Sequence, residues 1–130
     1  MKRIISAILV VASVSLSCAP AVSLKGDWNV VSAYGLGAAE ELPLPYISFQ
    51  DSGRVSGSTG VNLFSGGYKA KGQSLSFENI GMTRRGAAVG MDVENAIKKA
   101  FDSAFSYQAK GEELIIRDED GKEVMILKKK

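Results

Sequence analysis

The chain of 130 residues has no histidine and one cysteine. Without histidine it cannot assemble a Ser-His-Asp or Cys-His nucleophilic site, nor any imidazole-ligated metal site. The lone Cys18 cannot close an internal disulfide or form a cysteine cluster for zinc or iron–sulfur. Long apolar stretches are also missing: the main run, Ile4 to Val14, stops at 11 residues. A helix that crosses a bilayer needs roughly 20. Nor is there a surplus of charge. Of 16 Lys plus Arg, two are Lys2 and Arg3, so the remainder of the chain carries 14 cations against 14 carboxylates. A nucleic-acid reader needs a basic excess to release counterions, so no nucleic-acid partner is expected. No metal and no cofactor are expected either. What is present, 45% hydrophobic and 23% charged residues, describes one ordinary globular domain.

The first residues read as a secretory signal: Lys2-Arg3, the apolar run, then small residues at Ser15, Ser17, Ala19 and Ala21. Leu16-Ser17-Cys18-Ala19 resembles the lipobox of bacterial lipoproteins, in which the cysteine is acylated and becomes the new N-terminus. The aliphatic residue usual three places before the cysteine is Ser15 here, with Leu16 one place late. The alternative is ordinary cleavage after Ala19-Pro20-Ala21, which would discard the cysteine. The leading expectation is a signal peptide over residues 1–17, a tether over 18–23 and a domain over 24–130. The membrane is then a partner through a lipid on Cys18.

Within that domain, residues 27–34 are rich in β-formers, and 35–45 read as a loop. Ile47 and Phe49 alternate onto one face, Asp51-Ser52-Gly53 marks a turn, and Arg54 to Gly57 begins the return strand. A glycine-dense stretch from Gly57 to Gly72 carries Val61, Leu63, Phe64 and Tyr68 as anchors, and Leu75 and Phe77 alternate inward. The period then changes. Val93, Ile97, Ala100, Phe101, Ala104 and Phe105 form one stripe of a helix, with Glu94, Lys98, Lys99 and Asp102 off it and Asp92 as its N-cap. Ser106 to Lys110, Glu113 to Arg117 and Glu123 to Lys128 read as consecutive hairpin strands. The fold class is α+β: a curved antiparallel β-sheet, or small cracked β-barrel, packed on one α-helix.

Five local signatures fall in order: Leu24-Lys25-Gly26-Asp27-Trp28, Gly53-Arg54-Val55-Ser56-Gly57, Gly60-Val61-Asn62-Leu63-Phe64-Ser65-Gly66-Gly67-Tyr68, Met82-Thr83-Arg84-Arg85 and Met91-Asp92-Val93-Glu94. Together they resemble the META domain family, which includes the HslJ-type heat-inducible bacterial lipoproteins. The residues that carry the resemblance are Gly26, Trp28, Gly57, Gly60, Asn62, Phe64, Gly66, Tyr68, Thr83, Arg84 and Glu94. Two family cysteines fall on Val61 and Ala87, and a family methionine on Arg85, so thiol chemistry at those positions is lost. The resemblance implies a non-enzymatic cell-envelope lipoprotein with an interaction or envelope-stress role. It would be held at the outer membrane facing the periplasm, with another envelope protein as a further partner. The alternative location is free in the periplasm or secreted.

A second functional reading is a lipocalin-like carrier, with Trp28, Phe49, Phe64, Phe77 and Phe101 lining a cavity for a small apolar ligand; a core tryptophan is the simpler role for Trp28. Arg84 and Arg85 read either as an anion site or as a solvated loop pair. Asp118, Asp120 and Gly121 begin like a calcium loop, but Lys129 stands where the twelfth-position carboxylate belongs, which leaves a hairpin turn. Glu40-Glu41 and Glu112-Glu113 are sequence neighbours that point to opposite faces of a strand and do not converge. Lys128-Lys129-Lys130 reads either as a contact for anionic headgroups or, more simply, as a frayed tail.

Overall fold

The computed structural model describes residues 23–130; Cys18 and the signal segment lie outside the described residues. Nine strands run β1 (Gly26–Ala33), β2 (Leu36–Gly37), β3 (Tyr46–Phe49), β4 (Arg54–Ser58), β5 (Leu63–Lys71), β6 (Ser74–Met82), β7 (Ser106–Lys110), β8 (Glu113–Arg117) and β9 (Glu123–Lys129). One helix, α1 (Met91–Ser103), separates β6 from β7. All strand pairs are antiparallel, in the order β2-β1-β3-β4-β5-β6-β7-β8-β9, and β1 also pairs with β9. That last pairing turns the sheet into a ring. The ring is uneven: β6 and β7 meet through the single register pair Ser74–Ser106. Helix α1 packs against β1, β2, β6 and β9.

The strands follow the alternation in the sequence. Ile47, Phe49, Val55, Leu75, Leu114, Ile116 and Leu127 point into one core with Trp28. Ile97, Ala100 and Phe101 cover that core from the helix. Close backbone approach shapes the ring at Gly57, where a Cβ would collide with the Tyr46 carbonyl oxygen and lie 2.7 Å from the Phe64 ring.

Four local expectations are corrected. The loop over residues 35–45 contains the short strand β2, paired to β1. Helix α1 is capped by Gly90 at φ +91°, not by Asp92, whose Oδ1 accepts from the Val93 amide at 2.8 Å inside the first turn. The start moves forward because a Cβ at position 90 would strike Leu42 and the positive φ favours glycine. At the other end the helix stops at Ser103, and Phe105 is 52% exposed instead of continuing the apolar stripe. Its backbone joins the sheet, the amide donating to the Arg117 carbonyl at 2.9 Å and the carbonyl accepting from the Leu75 amide at 3.0 Å. The lysine tail is not frayed either, since β9 runs to Lys129 and the Lys130 amide donates to the Asp27 carbonyl at 3.0 Å.

Candidate functional site

The turn between β4 and β5 starts the site. Thr59 Oγ1 accepts from the amides of Val61 at 3.2 Å and Asn62 at 3.0 Å, which folds the turn and buries Asn62. The Asn62 amide then satisfies every direction it has. Its Nδ2 donates to Glu94 Oε1 at 2.8 Å and to the Arg85 carbonyl at 2.9 Å. Its Oδ1 accepts from Thr83 Oγ1 at 2.8 Å and from the Arg85 amide at 2.7 Å. Thr59 Oγ1 adds a 2.7 Å bond to Glu94 Oε1, and Thr83 Oγ1 accepts from the Leu63 amide at 3.0 Å. One buried side chain thus ties together the β4–β5 turn, the chain leaving β6 and helix α1.

Glu94 corrects the helical reading: it is 4% exposed and faces inward, not off the apolar stripe. The spacing Glu94, Ile97, Phe101 (i, i+3, i+7) already placed it on the inner face; only its residue type argued for solvent. Thr59 completes the cluster and was not singled out in the sequence.

Beside this clamp lies an open cleft of about 690 Å³, walled by Arg84, Arg85 and Lys98 with Met82 and Met91. The three cations are exposed, and among the described residues none forms an ion pair. Planar guanidinium forks beside apolar methionines suit a carboxylate-bearing group. Arg84 and Arg85 are therefore both solvated and gathered at one cleft.

The other residues that carry the resemblance lie elsewhere. Trp28 is fully buried and its Nε1 donates to the Leu24 carbonyl at 2.8 Å. Phe64 packs on Phe101 with centroids 5.0 Å apart, Phe77 on Phe101 at 4.8 Å, and Tyr68 stands edge-on to Phe49 at 5.0 Å. These rings meet one another where a carrier would hold its ligand. Gly26 opens β1, Gly60 sits in the Thr59–Asn62 turn, and Gly66 lies at a register shift between β5 and β6. In the acidic turn, Asp118 Oδ1 accepts from the amides of Asp120 at 3.0 Å and Lys122 at 2.9 Å, as a hairpin turn requires.

A second hollow, of about 620 Å³, lies near the start of the described chain between Leu24, Lys25, Tyr68, Lys69 and Tyr107. Burial raises the Tyr68 hydroxyl above its ordinary range, and that hydroxyl donates to the Gln50 carbonyl at 3.0 Å. Lys25 Nζ sits 2.8 Å from Asp51 Oδ1, and this hydrogen bond, with the attraction of the charges, lowers the Asp51 carboxyl and raises the Lys25 ammonium. A lowered carboxyl stabilises the fold above its unfolded value and loses that contribution as pH falls through its folded value. Lys25→Gln is expected to return the Asp51 titration upward to the ordinary carboxylate range, followed by NMR of the side-chain carbonyl. An unmoved titration would show that the pair is not formed in solution.

Comparison with known proteins follows the same outline. No curated protein matches the sequence. Among solved structures, a protein determined by NMR is 23% identical with a TM-score of 0.64, over 79% of this chain and 87% of its own. A protein from Burkholderia xenovorans, also solved by NMR, is 19% identical with a TM-score of 0.61, over 86% and 94%. A crystal structure of a DUF4847-family protein from Bacteroides vulgatus is 19% identical with a TM-score of 0.58, over 82% and 93%. At these identities the likeness is one of fold: an antiparallel sheet closed unevenly into a ring against one helix. A family model described as META domain matches residues 22–130, the whole of that ring and its helix, and the chain belongs to the META domain family.

Proposed function

We propose that this META-domain protein is a bacterial cell-envelope lipoprotein, acylated at Cys18, that binds another envelope protein and catalyses no reaction. The observation that carries the anchor is the N-terminal pattern: Lys2-Arg3, 11 apolar residues, then Cys18. The described domain begins close behind. Leu24 is buried and fixed to Trp28, so the span from Cys18 to that point is at most about 20 Å of extended chain. The expected place is the outer membrane, facing the periplasm, in an envelope-stress role. For the partner, the cleft offers three cations that form no ion pair among the described residues, Arg84 and Arg85 on a loop held by Asn62 and Lys98 on helix α1. That chemistry favours an acidic segment. The interlocked aromatic rings support this reading over a carrier of apolar ligands.

The test is the intact mass of the mature protein from a bacterial host. A mass beginning at Cys18 with acyl chains added is expected. A mass beginning beyond Cys18 overturns the anchor and leaves a free periplasmic or secreted domain. Turnover of a substrate by the pure protein, abolished by one substitution, would overturn the non-enzymatic part.

A further inference from the structure

The strands alternate in direction, so their connections fall on two rims of the ring. One rim gathers the β3–β4, β5–β6 and β7–β8 turns, together with Ser23–Lys25 and the end of β9. The opposite rim gathers the loops after β1, β4 and β6 and the β8–β9 turn. Charge separates between them. The first rim carries eight exposed cations, Lys25, Arg54, Lys69, Lys71, Lys110 and the Lys128–Lys130 tail, against the five carboxylates Asp27, Asp51, Glu78, Glu112 and Glu113. The remaining described charges, on the opposite rim and helix α1, are the six cations Arg84, Arg85, Lys98, Lys99, Arg117 and Lys122 against nine carboxylates: Glu40, Glu41, Asp92, Glu94, Asp102, Glu123 and the three in Asp118–Asp120. A chain with balanced charge beyond Arg3 is thus polarised along the axis of its ring, with an excess of three cations at the first rim and of three carboxylates over the rest.

The basic rim is also the ordered one for the tail. The Lys129 amide donates to the Glu112 carbonyl at 2.8 Å, and its Nζ lies 4.7 Å from the centre of the Trp28 ring. Lys130 Nζ lies 4.4 Å from the centre of the Tyr46 ring. These ammonium groups are held at the rim instead of sweeping through solvent. Finally, this is the rim at which the chain arrives from Cys18, because Trp28 pins Leu24 there.

We infer that the lysine rim docks flat against an anionic phospholipid bilayer, standing the domain upright with the Arg84–Arg85 cleft turned away from the membrane. This orientation rests on the envelope reading above, but its test does not use the lipid. Strands β1 to β9 and Leu24 close the ring and its core within residues 24–129, so residues 18–130 with Cys18→Ser form a self-contained test protein. Binding is measured by co-sedimentation with phosphatidylglycerol-rich vesicles and with neutral phosphatidylcholine vesicles.

Binding to the anionic vesicles is expected, weakening as added salt shortens the screening length below the ~8 Å of physiological salt. A basic residue at such a surface is worth about fivefold in affinity. Lys128→Gln, Lys129→Gln and Lys130→Gln together are then expected to weaken binding on the order of a hundredfold. Because that variant touches β9, Lys71→Gln with Lys110→Gln provides a second, confined to hairpin ends, with a loss of roughly thirtyfold. Removing three cations from the other rim, Arg84→Gln, Arg85→Gln and Lys122→Gln, is expected to leave binding unchanged. Equal binding to neutral vesicles, or equal losses from the two rims, overturns the orientation. Such a failure alongside an acylated Cys18 would sink the docking surface alone, whereas a mass beginning beyond Cys18 removes the anchor.

Discussion

Replacing Asn62 with alanine is expected to lower the stability of the domain by about 3 kcal/mol. The truncation removes four side-chain hydrogen bonds at once: to Glu94 Oε1, to the Arg85 carbonyl, from the Arg85 amide and from Thr83 Oγ1. Each bond contributes about 1 kcal/mol, and the buried Glu94 carboxylate left short of a donor costs more than its bond, whereas the Thr83 and Arg85 groups lie where water reaches them. For a domain of roughly 100 residues the melting temperature falls on the order of 10–25 °C. Urea unfolding followed at Trp28 gives the free energy directly. Glu94→Ala should cost a similar amount by removing the shared acceptor of Thr59 and Asn62, and the double variant should cost clearly less than the sum. A loss under about 1 kcal/mol for Asn62→Ala, or strict additivity with Glu94→Ala, would mean that the clamp does not act as a unit.

The same cluster shows where sequence reading reaches its limit. Period-two alternation at Ile47 and Phe49, and at Leu75 and Phe77, placed those strands because one face is buried. The Val93, Ile97, Ala100 and Phe101 spacing placed the helix for the same reason. Glu94 was legible only by position: its spacing to Ile97 and Phe101 points inward, while its charge points outward. The contest was settled by Thr59 and Asn62, 35 and 32 residues earlier, which no local pattern joins to it. Phe105 failed for a related reason. Periodicity continued the stripe through it, but backbone bonds to Arg117 and Leu75 draw its main chain out of the helix and into the seam beside β6. The lysine tail likewise looked free, because pairing of β9 with β1 is a long-range event. Of the residues that carry the resemblance, Asn62, Thr83 and Glu94 converge, while Trp28, Phe64 and Tyr68 serve the core around them.

The clamp and the basic cleft divide the labour of that region. Arg84 and Arg85 are adjacent, yet only the main chain of Arg85 is held, through its amide and carbonyl on Asn62. The backbone is fixed while both guanidinium groups stay in solvent, an arrangement that presents donors without ordering them in advance. A carboxylate arriving there has no internal ion pair to displace.

Trp28→Ala carries the other large effect, an expected loss of about 4 kcal/mol and a fall in melting temperature of roughly 15–30 °C. The indole is fully buried on β1, a strand paired to both β3 and β9, so the cavity it leaves opens at the closure of the ring. Trp28→Phe separates volume from polarity. It keeps most of the ring but removes the 2.8 Å bond from Nε1 to the buried Leu24 carbonyl, for an expected cost of about 1–2 kcal/mol. The local consequence is larger than that figure implies, because the bond fastens the residues ahead of β1. Amide exchange at Leu24 and Lys25 should accelerate in Trp28→Phe well before the interior strands respond. In the parent protein the single tryptophan should emit in the blue and shift red only on global unfolding, since no part of it reaches solvent. A loss below about 2 kcal/mol for Trp28→Ala would mean that the ring closes without its largest side chain. Unchanged exchange in Trp28→Phe would place the fastening of the residues ahead of β1 elsewhere, on the Lys130 amide and the Asp27 carbonyl that zip β9 to β1.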